Sequence, residues 1–305
     1  MHITRRHLMT TAGAALGTAA LPRRIWAGSS IMLGNAQIDT LSDGHLVLPA
    51  SFTLGDIPEE QAAPVLEEFG LGTEQFEPPC NVTLLRDGER TVLFDVGAGM
   101  NFMPTAGKLD EALDALGLTT DDITHVVFTH AHPDHIWGLL DDFGDPAFYN
   151  AEFFIGQAEF DYWMDPETVN TIGEARQSFA VGAKNRLEVI ADIVNTYGDG
   201  EEILPGIAAR ATFGHTPGHM SYEIRSGNES LMVIGDAIVN HHLAFAKPEW
   251  HSGSDQNPEL GAETRVALLD QLASEQMVFS GFHLPGGGIG RAERADGAYR
   301  FVEEG

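Results

Sequence analysis

The chain has 305 residues, 43% hydrophobic and 20% charged, the balance of a globular protein with enough apolar material for a large core. A formal charge of −28 opposes nucleic acid and anionic lipid as partners, since both call for a basic face, and there is no apolar run of about 18 residues to span a bilayer. The single cysteine, Cys80, excludes an intramolecular disulfide, a thiolate zinc cluster and an iron–sulfur site, so a metal site is expected to use histidine and carboxylate.

At the N-terminus, Arg5 and Arg6 precede a mild, Ala/Gly-rich run from Leu8 to Leu21 that contains no acid. The segment resembles a twin-arginine export signal. Cleavage after Ala27 and a periplasmic or exported location are the expectations, with residues 28–305 as one domain.

Within that domain, Ala36–Ser42 and His45–Pro49 alternate around Asp43-Gly44 and predict a hairpin. Residues 55–79, rich in Pro, Glu and Gly, read as an excursion with a short helix near Ala62–Phe69. Asn81–Arg86, Asp87-Gly88 and Thr91–Asp95 predict a second hairpin, left sharply at Gly97 and Gly99. Leu109, Leu113 and Leu116 recur at helical spacing before a stop at Gly117. The His125–Thr129 strand runs directly into a histidine cluster. Four more strands follow, at Ala208–Phe213, Met220–Arg225, Leu231–Ile234 and Met277–Phe279, with a helix over Glu263–Leu272.

The cluster reads Thr129-His130-Ala131-His132-Pro133-Asp134-His135. Imidazole and carboxylate are the donors of cysteine-free zinc sites. In extended chain His130 and His132 point the same way, and a turn at Pro133 brings Asp134 and His135 toward a second point nearby. One loop can thus serve two ions. Later strands end at further candidates: His215 and His219 in Gly214-His215-Thr216-Pro217-Gly218-His219, Asp236 after Gly235, and His283 after Phe282. There is no Gly-x-Ser-x-Gly elbow and no phosphate-cradling loop ending in Lys-Ser/Thr.

This series, His-x-His-x-Asp-His, then His, Asp and His, resembles the metallo-β-lactamase superfamily. Leu41-Ser42-Asp43-Gly44, the Gly214–His219 run and Pro285–Gly290 with Tyr299-Arg300-Phe301-Val302 point within it to the methyl parathion hydrolase group. The resemblance implies an α/β fold: an αββα sandwich of two mixed sheets with helices on the outer faces. It assigns His130, His132 and His219 to one metal, and Asp134, His135 and His283 to the other. Asp236 would bridge the two, and both Asp134 and Asp236 would take part in catalysis. Asp95 and His215 would support the ligands, and Phe102, Trp163 and Phe179 would line the substrate pocket.

Two divalent ions, zinc foremost, would ionise a bridging water near neutral pH and supply the nucleophile. The expected reaction is hydrolysis of a small ester-like substrate: an organophosphate triester, an aryl ester or a lactone. Alternatives are a lactonase or β-lactamase-like amide hydrolase and, from another class, a metal-binding redox or sensor protein on the same fold. The partner expected is a small molecule; a homodimer is compatible with the sequence.

Overall fold

The computed structural model describes residues 27–295 and 297–304; the export-signal reading therefore lies outside the described residues. Two seven-stranded sheets carry the fold. The first runs, in spatial order, Ala27–Leu33, Ala36–His45, Pro79–Arg86, Thr91–Phe94, His125–Phe128, Glu152–Gly156 and Val194–Tyr197. The second runs Glu202–Leu204, Ile207–Ala211, Met220–Ser226, Glu229–Gly235, Val278–Gly281, Ile289–Ala295 and Ala298–Glu303. Both are mixed. Parallel pairing begins where a helical crossover intervenes: Thr91–Phe94 beside His125–Phe128, and Glu229–Gly235 beside Val278–Gly281.

The layer order follows from strand alternation. Leu85, Val92, Phe94, Val127 and Phe154 point inward and meet Ala209, Tyr222, Ile224, Leu231 and Val233 of the second sheet in one core. Their neighbours Leu84, Leu93, Val126 and Phe153 point outward, against Leu109, Ala112 and Leu113 of one helix and Ala180, Ala183, Leu187 and Ile190 of another. On the far side Met232, Ile234 and Phe279 are covered by Leu268, Leu269 and Leu272 of the Pro258–Glu275 helix. The result is the expected αββα sandwich.

The hairpin over residues 81–94 forms as expected, and the leucine-spaced helix spans Leu109–Ala115. The hairpin expected at Asp43-Gly44 does not form. Ala36–His45 is one continuous strand paired to Pro79–Arg86, with an irregularity at Ser42/Gly44. The turn lies upstream, between Leu33 and Ala36, and joins this strand to Ala27–Leu33. Asp43 has another task. Its buried carboxylate accepts the backbone N–H groups of Ala98 (2.8 Å), Gly107 (3.2 Å), Lys108 (2.7 Å) and Leu109 (2.9 Å), and so anchors the loop after the Thr91–Phe94 strand.

Residues 46–78 form a flap: short helices Ala50–Leu54 and Glu59–Glu68, and a two-stranded ribbon of Leu48–Pro49 with Gln75–Phe76. A separate small core holds it, with Ala50, Leu54, Ala62, Leu66 and Phe76 packed on Leu243.

Candidate metal centre

The strand ends of both sheets meet at one edge. Beyond Phe128 the chain extends through His130 and His132, and Pro133 opens a one-turn helix, Pro133–Ile136, that carries Asp134 and His135. His215 comes from the loop between Ile207–Ala211 and Met220–Ser226, Asp236 follows Gly235, and His283 follows Gly281-Phe282. All seven side chains are buried.

Their donor atoms converge. His130 Nε2 lies 3.0 Å from His132 Nδ1, which lies 2.9 Å from His215 Nε2. Asp236 Oδ2 is 3.2 Å from His215 Nε2, 3.3 Å from His283 Nε2 and 4.0 Å from His130 Nε2, while its Oδ1 is 3.4 Å from His135 Nε2. Asp134 Oδ2 is 3.2 Å from His283 Nε2 and 3.5 Å from His135 Nε2. Asp236 thus stands between two groups of donors.

Three of these buried atoms, Asp134 Oδ2, His135 Nε2 and Asp236 Oδ1, have no hydrogen-bond partner among the described residues. Burial and neighbouring imidazoles hold His130 and His132 well below the usual histidine range, so both present lone pairs. Burial also disfavours charge on His135, but Asp236, Asp134 and Asp95 outweigh it and raise its pKa to about 10. Unpaired carboxylate oxygens and imidazole lone pairs in a buried cluster are the donor set that fits divalent cations.

Outward-facing partners fix the rings. Asp95, held at φ 67°, accepts Thr129 N–H (2.7 Å), Thr129 Oγ1–H (2.7 Å) and His135 Nδ1–H (2.8 Å). His283 Nδ1 donates to the Pro79 carbonyl at 2.7 Å. His215 Nδ1 lies 3.2 Å from Asp255 Oδ1, and the other oxygen of Asp255 accepts from the buried Arg265 guanidinium at 3.1 Å. Such partners orient imidazoles and raise their basicity.

Two expectations are corrected. His219 does not face the cluster's centre: its Nδ1 bonds Thr212 Oγ1 at 2.8 Å, and its Nε2 accepts the Asp236 N–H at 2.9 Å. Both ring nitrogens are taken. His215 occupies the place expected for it, grouped with His130 and His132 with all three donor atoms within 4.8 Å. Gly235 (φ 49°) leaves room for the His219 ring, since a Cβ there would lie 2.7 Å from His219 Nε2.

Trp163 does not line a pocket. It is fully buried, its Nε1–H donates to Glu159 Oε1 at 2.6 Å, and its ring backs His132 with centroids 5.9 Å apart. Phe102 and Phe179 do line the cavity, edge to face at 6.5 Å.

Sequence reasoning missed Asp255 and Glu159. Glu159 is fully buried and accepts from Ala131 N, Thr216 Oγ1, Gly218 N and Trp163 Nε1. Each is one acid in a helix or loop with no local signal. Cys80 was set aside on composition, yet its sulfur lies within 4.8 Å of donor atoms of Asp134 and His283. Burial pushes this thiol up to about 12, so it is neutral beside the cluster.

A cavity of about 160 Å³ opens over the cluster. Leu48, Phe52 and Phe76 of the flap form one wall, Phe102 and Phe179 another, and His132, Asp134, Asp236 and His283 the floor.

An αββα sandwich with a buried His/Asp cluster at its strand ends defines a class of metal-dependent proteins. The sequence profile described as "Metallo-beta-lactamase superfamily" matches residues 76–283, and the chain belongs to that family. It is 30% identical over 141 residues to the N-acyl homoserine lactonase AttM of Agrobacterium fabrum, a match covering 45% of this chain and 49% of the relative. The chain thus spans about half the length of that relative. A metal-dependent hydrolase of Ruegeria is 27% identical over 179 residues, 58% of this chain and 66% of the relative. Two solved structures superpose with TM-scores of 0.85, each covering 92% of this chain and 99% of the other: AidC, a dizinc quorum-quenching lactonase in complex with a product (25% identity), and the hydrolase AbOPH of the β-lactamase superfamily (28%). These relatives do not single out the methyl parathion hydrolase group.

Proposed function

We propose that this protein is a dinuclear metal-dependent hydrolase that opens the ester bond of lactones. The observation that carries the reading is the convergence of unpaired imidazole and carboxylate atoms on the floor of an apolar cavity. The relatives described as lactonases supply the substrate class.

His130, His132 and His215 would hold one cation, Asp134, His135 and His283 the other, and Asp236 would touch both. Two such cations, zinc foremost, would supply Lewis acidity and a water ionised near neutral pH. The chain's own residues do the rest. Asp236 spaces and partly neutralises the two donor groups. Asp95 and Asp255 keep His135 and His215 aimed inward. Asp134, whose side chain lines the cavity floor, would hold a proton and return it to the leaving oxygen. The apolar walls exclude bulk water and receive the substrate's hydrocarbon portion.

Metal analysis of reconstituted protein, followed by assay against a lactone, an aryl ester, a phosphotriester and a cephalosporin, tests the proposal. Two equivalents of metal and preference for the lactone support it. Less than one equivalent, or turnover of the cephalosporin alone, overturns it. A second reading, hydrolysis of aryl esters or organophosphate triesters, is favoured by the Phe102 and Phe179 rings, which suit an aryl leaving group. Export through the twin-arginine route rests on Arg5 and Arg6; replacing both with Lys is expected to retain the protein in the cytoplasm, and undiminished export would refute it.

A further inference from the structure

Outside the metal cluster two imidazoles line the cavity, His241 and His242, and the more deeply buried of the two, His242, has a sealed ring nitrogen with no partner. His242 is 5% exposed and lines the cavity that the cluster floors. Its Nδ1 has no hydrogen-bond partner among the described residues and is shut off from solvent, whereas Nε2 is not among the sealed, unpartnered atoms. The ring is wedged among Phe76 (centroids 5.3 Å apart), Phe69 (6.1 Å) and His241 (5.4 Å). Its backbone is pinned. The His242 carbonyl accepts the N–H groups of Phe245 (3.2 Å) and Ala246 (2.9 Å), and Asn240 Oδ1 accepts that of Ala244 (2.9 Å). With the backbone fixed, it is the packing of Phe69, Phe76 and His241 around the ring that limits its turning to find a partner.

A histidine in such a place is costly. A phenylalanine would fill the same wedge between Phe69 and Phe76 without two polar atoms to desolvate. Burial, with the neighbouring His241, also lowers the pKa of His242 to about 3, so the ring is neutral and carries one N–H. Leaving a lone pair on the sealed Nδ1 costs less than leaving an N–H there without an acceptor, which places the proton on Nε2, the nitrogen not sealed from the cavity.

We infer that His242 is a specificity residue whose Nε2–H donates to an acceptor oxygen on the substrate, remote from the bond that is cleaved. The substrate class is a lactone whose substituent carries a neutral carbonyl within or next to a hydrocarbon chain. The chain would lie against Leu48, Phe52 and Phe76, and the carbonyl would meet His242. This rests on the reading of the cavity as the substrate site. A neutral donor in an apolar wall selects for a substituent that offers an acceptor, because a purely hydrocarbon substituent leaves the N–H buried and unpaired.

The variant His242→Phe keeps an aromatic ring in the wedge and removes the donor. The test compares wild type and variant, both metal-loaded, on two lactones of equal chain length, one with an acylamino substituent and one with an alkyl substituent. The expected result is a fall of about 10-fold or more in the ratio of kcat/KM between the acylamino and alkyl substrates, carried by KM, with a melting temperature equal to or above that of wild type. An unchanged ratio overturns the inference, as does a lowered melting temperature with both substrates losing equally, which marks the ring as packing alone. Should wild type open neither lactone, the lactonase reading fails by itself. Calorimetric binding of the same pair then decides on His242, and equal affinities for variant and wild type overturn it.

Discussion

Glu159 Oε1 accepts the backbone N–H of Ala131 at 2.9 Å, so the residue between His130 and His132 is held by a side chain from the Gln157–Met164 helix. The other oxygen, Oε2, holds Thr216 Oγ1 at 2.6 Å and Gly218 N at 3.0 Å, in the loop that carries His215. One buried carboxylate ties together the loops bearing three of the convergent histidines. The contact is close: a Cβ at Gly218 would come within 2.0 Å of Glu159 N.

Glu159→Gln turns an amide N–H₂ toward groups that are themselves donors. Cation affinity at the His130/His132/His215 group is expected to fall about 10- to 100-fold, with a loss of about 1–3 kcal/mol in stability. Metal titration of apoprotein and denaturant unfolding measure the two. Wild-type affinity in a destabilised variant would limit Glu159 to a packing role.

Asp43 is the corresponding anchor for the 95–109 loop. Asn at this position offers one acceptor oxygen where the carboxylate has two, each receiving two backbone N–H groups. Asp43→Asn should cost at least about 2 kcal/mol in urea unfolding. A change below about 0.5 kcal/mol, the range of unremarkable surface substitutions, would contradict it.

The two loop histidines separate by metal content. His215→Ala removes a donor from the cluster and should lose one cation. His219→Ala leaves the donors in place and should keep two, with weaker binding because Asp236 N–H loses its acceptor. Asp236→Ala should lose both, since Asp236 stands between the two donor groups. Equal loss in the His215 and His219 variants would reverse the exchange proposed for these residues.

Trp163 belongs to the core. Trp163→Phe removes the indole N–H from Glu159 and should lower stability by about 1–3 kcal/mol. Rates on all substrates should scale together, whatever the leaving group. A change in substrate ranking, read from kcat/KM on two esters of different size, would return this ring to the pocket.

Legible along the chain were the 81–94 hairpin, the strands at 125–128, 220–225, 231–234 and 278–279, the Leu109–Ala115 helix and the metal motif, because their patterns are local; the strands Glu152–Gly156, Val194–Tyr197, Ile289–Ala295 and Ala298–Glu303 were not. Alternation in Leu84-Leu85 and Leu93-Phe94 sorts side chains to opposite faces of a sheet without reference to the rest of the chain. Pro133 likewise sets the turn that brings Asp134 and His135 round beside His130 and His132. Tertiary structure decided the remainder. His215 and His219 share one loop and one chemistry, and it is the bonds of His219 to Thr212 Oγ1 and the Asp236 N–H, across the folded chain, that turn it away from the donors. Asp43-Gly44 has the composition of a turn, yet four distant N–H groups make it an anchor within a continuous strand. Glu159 lies 29 positions from His130, Asp255 40 from His215 and His242 110 from His132. Their roles arise from desolvation and pairing across the closed fold, which no spacing along the chain encodes.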